Sequence, residues 1–197
     1  GIHHANDKFG PVFLSKVDLS DGFYRLWLRP EDTIHLAALF PSRPGEPKLV
    51  GIPLTNPMGW VSSPPNFSAC TETIADLANV DLADPIAIEE AQSTPHRLDI
   101  VSKSNPTPSG SNNSMDQPLS LPTSSSAPPS TSKPFLRLFQ YWDIYVDDFC
   151  GLVQGNKWKR RTVRRILFNA LDKVFRPLEG DDTMFRQEPA SLKKLRK

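Results

Sequence analysis

The sequence predicts an α+β fold: a small antiparallel sheet backed by two helices and interrupted by a long disordered insertion. Three observations predict it. Aromatic and branched residues gather in short runs around turn residues, at Val12 to Leu28 and again at Phe135 to Val153. Two longer stretches carry apolar residues at helical spacing. Between them, from about Asp84 to Pro134, the composition shifts to serine, proline, threonine and asparagine.

Val12 to Leu28, broken by Ser20-Asp21-Gly22, reads as a strand, a tight turn and a second extended or helical piece, with Asp18 at the end of the strand. Leu36 to Phe40 and Leu49 to Leu54 flank Pro41-Ser42-Arg43-Pro44-Gly45, the pattern of a hairpin. Ser62-Ser63-Pro64 offers an N-cap and a first-turn proline, and Phe67, Cys70, Thr71, Ile74, Leu77 and Ala78 continue a helix to about Asn79. The serine- and proline-rich stretch that follows buries too little apolar surface to offset its ordering entropy. Loop closure grows costly only logarithmically with length, so it is expected to be an insertion within one domain. Phe135 to Val153 then forms a hairpin with Asp147-Asp148 at its tip. Val163, Ile166, Leu167, Ala170, Leu171 and Val174 make the apolar stripe of a helix from Arg160 to Phe175, opposite Arg160, Arg161, Arg164, Arg165 and Lys173. The expected organisation is therefore 1–80, an insertion at 81–134, and 135–197.

Composition bounds the function. The chain has 197 residues, 38% of them hydrophobic, enough for one moderate core. A formal charge of +1 makes no global case for nucleic-acid binding, so any affinity for a polyanion must come from local patches. Cys70 and Cys150 lie far apart without metal-ligand spacing, which argues against a disulfide framework or a zinc site and for a reducing compartment. No apolar run approaches the roughly 20 residues that span a bilayer. The chain is read as soluble and intracellular with no membrane partner, and its ends read as those of a piece of a longer polyprotein.

Asp18 and the pair Asp147-Asp148 occupy two separate strand ends. A two-metal site needs carboxylates from independent backbone positions, and carboxylate oxygens suit magnesium. Alone, an Asp-Asp pair between apolar flanks is more often an ordinary turn. His3-His4 reads as a terminus rather than a metal pair, and the basic face of the last helix as a solvated surface.

Three segments change the balance for the acids. They are Lys16-Val17-Asp18-Leu19-Ser20-Asp21-Gly22-Phe23-Tyr24, then Pro57-Met58-Gly59-Trp60-Val61-Ser62-Ser63-Pro64-Pro65-Asn66-Phe67, then Tyr145-Val146-Asp147-Asp148-Phe149. In this order they resemble motifs A, B and C of the reverse transcriptase palm of retroviruses and LTR retrotransposons. The resemblance covers most of the chain outside the insertion. It implies a polymerase palm that adds deoxynucleotides to a primer 3′-hydroxyl on an RNA or DNA template, with two magnesium ions, or manganese in their place.

The resemblance also implies roles. Asp18 and Asp147 resemble the metal-bridging carboxylates, and Asp148 the third acid nearer the primer end. Phe23 resembles the steric gate against a ribose 2′-hydroxyl, and Gly59 the motif B glycine that admits close approach of nucleotide or template. Backbone amides at Asp21 and Gly22 would face the triphosphate, and Leu19 and Met58 complete the implied nucleotide-binding set. Met58 stands where retroviral enzymes often carry glutamine, which puts a polar sugar contact there in doubt. The last helix would pack beneath the sheet, away from the template. Fingers, thumb and an RNase H region would belong to the parent polyprotein, in the cytoplasm or in a retroelement particle. The rival reading is a catalytically inactive retroelement remnant that keeps the palm fold with at most nucleic-acid binding. A nucleotidyl cyclase ranks last, because Pro57 to Pro64 has no role there.

Overall fold

The computed structural model describes residue 2 and residues 5–99, 138–175 and 188–190. The first strand, β1 (Val12–Asp18), ends at the expected aspartate. A 3-10 turn at Gly22–Arg25 and a one-turn helix, α1 (Pro30–Thr33), follow it. The expected hairpin is present but short, with β2 (Ala38–Leu39) against β3 (Val50–Gly51). Helices α2 (Ser63–Ala83) and α3 (Pro85–Ser93) come next, then β4 (Gln140–Tyr145), β5 (Asp148–Gln154) and α4 (Lys157–Val174).

The main sheet has the order β1-β5-β4, all antiparallel, so β5 is central and the acidic turn joins it to β4. Strand alternation gives this sheet two unlike faces. Val17, Trp142, Phe149 and Val153 point to one side and are buried with Phe67, Ile74, Val163, Ile166 and Leu167 of α2 and α4. Burial of each such side chain contributes about 1.5–3 kcal/mol. Lys16, Asp18, Asp148 and Tyr145 belong to the other face.

The edge of β4 is closed by a side chain. Asn79 on α2 donates to Trp142 O at 2.8 Å and accepts from Trp142 N–H at 2.9 Å, an amide standing in for a neighbouring strand. Gln140 adds a bond to Leu82 O at 2.8 Å. These contacts explain why α2 runs on past Asn79 to Ala83, with Leu82 buried.

Residues 84–99 correct the expected insertion. Asp84 ends α2 and caps α3, its carboxylate accepting from Ile86 N–H at 3.0 Å, and Pro85 fits the first helical position. Ala91, Leu98 and Asp99 are buried. The structured region thus reaches Asp99, and the rest of the expected insertion, residues 100–134, lies outside the described residues. So do His3-His4, Phe135, Lys193 and Lys194.

The basic side of α4 is a second correction. Arg165 is buried, its Nε 2.5 Å from Asp99 Oδ2 and its guanidinium donating to Ala91 O at 2.8 Å and Gln92 O at 3.1 Å. Burial pushes the Arg164 pKa down, opposed by Asp99 and reinforced by Arg161 and Arg165. The helix is covered on two sides, by the sheet and α2 on its apolar stripe and by α3 and residues 97–99 opposite. It also begins earlier than expected, at Lys157, capped by Asn156 accepting from Lys159 N–H at 2.9 Å.

Residues 188–190 lie beside the turn after β1. Leu19 bridges Ala190, Ser20 N–H donates to Pro189 O at 2.9 Å, and Arg25 donates to Glu188 O at 2.5 Å. Arg97 joins the Glu188 carboxylate to Asp172 of α4. Among the described residues no helix is long and apolar enough to cross a membrane.

Candidate active site

Asp18 and Asp148 are direct partners across the β1–β5 ladder. Opposed residues of an antiparallel pair share a face with Cβ atoms about 4.5–5.5 Å apart, so the two carboxylates are neighbours. The hairpin tip falls on Val146-Asp147 rather than on Asp147-Asp148, because Asp148 already pairs with Tyr145 as the first residue of β5; the Asp147 carbonyl accepts from Leu19 N–H at 3.1 Å. Val146, the other turn residue, has φ 59°. A β-branched side chain in that region is strained by about 1–3 kcal/mol, held at the tip by the strands on either side.

Two like charges facing each other are destabilising. Lys16, two residues before Asp18 on the same strand face, answers them: its Nζ lies 2.6 Å from Asp148 Oδ2. The hydrogen bond to Asp148 raises the lysine pKa above its ordinary value, against a desolvation cost and with help from the charges of Asp148 and Asp18. Lys16 carries no role in the sequence-based expectation. The signal was its position, two residues from Asp18 and therefore on the same side of the strand.

The turn after Asp18 packs on α2. Gly22 is buried, and a Cβ there would lie 2.4 Å from Cζ of Phe67. Phe23 stacks on the same ring, centroids 4.5 Å apart and planes at 29°. Asp21 is exposed in the left-handed conformation, φ 52°, and makes no side-chain capping bond. Leu19 is buried and its N–H already engages Asp147, so strand pairing uses the group nearest the acids.

The loop before α2 is tied at both ends. Asn56, a buried amide, donates to Ser63 O at 3.2 Å and accepts from Ser63 Oγ at 2.8 Å. Ser63 Oγ is also 2.5 Å from Pro57 O. Ser62, the expected N-cap, has helical backbone angles and makes no capping bond, because its neighbour Ser63 closes the loop instead. Asn56 N–H donates to Leu26 O at 2.7 Å, which ties the loop to the chain just after the Phe23 turn. Within it, Met58 is exposed and Gly59 has φ 92°, a turn position where a Cβ would meet no atom within 4 Å.

The fold thus sets Asp18, Asp148 and Lys16 side by side, with Asp147 in the adjoining turn and Leu19 to Phe23 leading directly away from them. Met58 and Gly59 lie on the separate tied loop. Among the described residues no three His, Cys, Asp or Glu side chains form a group able to hold a metal ion. The donor chemistry nonetheless fits a hard divalent cation, because the acids are oxygen ligands and an ammonium group already stands in as the cation on Asp148. The chain matches no protein-family model, and no curated protein shows significant similarity to it.

Proposed function

We propose that this chain is the palm of an RNA-directed DNA polymerase, adding deoxynucleotides to a primer 3′-hydroxyl. The observation that carries the reading is the cross-strand pairing of Asp18 with Asp148 beside the turn that holds Asp147. Asp18 and Asp147 are the bridging carboxylates in this reading, and Asp148 the third acid. Magnesium or manganese bound there would supply activation of the primer hydroxyl and neutralisation of charge on the departing pyrophosphate.

The protein's own groups do the positioning. Phe23, held by its stack on Phe67 and packed against the core, would be the group that excludes a 2′-hydroxyl. The Asp21-Gly22 turn offers backbone amides to the triphosphate, and Gly59 opens the backbone to close approach. Template, primer and nucleotide are the partners, with fingers, thumb and RNase H regions supplied by the parent polypeptide. Primer extension by that polypeptide on an RNA template tests the reading. Asp147→Asn should reduce incorporation on the order of 10²-fold or more; unchanged incorporation would overturn it.

One observation favours the rival reading of an inactive palm: the Lys16 ammonium already neutralises Asp148. An inactive palm would show no divalent-cation affinity that depends on Asp18 or Asp148.

A further inference from the structure

We infer that Lys16 is an internal competitor for the divalent cation at the acid pair, occupying Asp148 until the cation displaces it; the inference rests on the proposed polymerase reading. The geometry is specific. Lys16 and Asp18 lie on one face of β1, Asp148 faces Asp18 across the ladder, and the ammonium meets Asp148 Oδ2 at 2.6 Å. Without a cation on the pair, Asp18 and Asp148 would repel across the strands, and Lys16 relieves that repulsion.

The pair is built to be exchanged. The Lys16 side chain is 56% exposed, and its partner Asp148 is 26% exposed. An ion pair in such a setting is weak, and the lysine stem rotates freely into solvent. A divalent cation carries twice the charge and takes carboxylate oxygens as ligands. Entry of the cation therefore displaces the Lys16 ammonium from Asp148 and meets the repulsion of its charge, so Lys16 raises the concentration at which the centre loads.

Manganese titration of the full chain, followed by water-proton relaxation, tests this without any activity measurement. Lys16→Met should bind manganese about three- to tenfold more tightly than the wild type, the range expected from removing a weak ion pair and one repelling charge. Lys16→Arg should bind like the wild type, and Lys16→Met combined with Asp148→Asn should lose the gain. Lys16→Gln serves if the methionine variant fails to fold. Equal or weaker binding in the uncharged variants, with affinity still abolished by Asp18→Asn, would overturn the role of Lys16 and leave the metal centre standing. Binding that neither Asp18→Asn nor Asp148→Asn reduces in any variant would overturn the proposed metal centre itself, and Lys16 with it.

Discussion

Gly22 is where the turn after Asp18 meets α2, and it tolerates no side chain. An added Cβ would sit 2.4 Å from Cζ of Phe67, a ring wedged in the core and stacked on Phe23. Gly22→Ala should therefore destabilise the protein by about 1–3 kcal/mol through overpacking. At Gly59 the space is open and only φ 92° opposes a side chain, so Gly59→Ala should cost less, about 1 kcal/mol. Urea unfolding of the two variants checks the order, and a larger loss at Gly59 would contradict it. That Asp18 ends a strand and that acids stand at the β4–β5 turn was legible, because turn residues follow each apolar run. Lys16 was not, since its partner depends on the register that sets Asp148 opposite Asp18, and register is a property of two strands rather than of either sequence.

Among the elements, α4 joins two layers through one buried ion pair. Arg165 and Asp99 are both nearly inaccessible, and Arg165 also holds two carbonyls of α3. Removing Arg165 takes the closest cation from buried Asp99 and leaves Arg164 at 3.7 Å, so Arg165→Met should cost about 3 kcal/mol. Combining it with Asp99→Asn should cost less than the sum of the single changes, and a double-mutant cycle in urea measures the coupling. Strict additivity would show that the pair is not coupled. Ser63→Ala should cost about 1–3 kcal/mol by leaving the buried Asn56 amide without its 2.8 Å donor. The strands and the two long helices were legible because period and turn chemistry agree at each. Residues 84–99 were not, because α3 is short and flanked by serine and proline, and what holds it is an arginine on a helix far along the chain. The same long-range contact hid the burial of Arg165, whose position opposite the apolar stripe reads as solvated until a second layer covers it.

For the molecule as a whole, hydrogen bonds tie residues 188–190 to the turn after Asp18, and Arg97 pairs with Glu188 and with Asp172 of α4. Burial alone would raise the Asp172 pKa, but hydrogen bonds from Arg97 and His96 and their charges outweigh it and hold the carboxyl below its ordinary value of 3.8. A depressed folded pKa stabilises the protein fully above the ordinary value and loses that contribution as pH falls through the folded one. Stability should therefore drop below about pH 4, and Asp172→Asn should flatten that limb in urea melts at successive pH values. An unchanged acid limb would place the loss elsewhere. The sheet that these contacts surround sets Asp18 beside Asp148, and the central claim is that Asp18 and Asp147-Asp148 act as one catalytic unit. Single-nucleotide incorporation by a polypeptide that carries this chain tests it most directly, comparing Asp18→Asn, Asp147→Asn and the double variant. Each single change should cost on the order of 10²-fold or more, and the double variant no more than the worse single. Normal incorporation by either single variant, or losses that multiply in the double, would contradict the account.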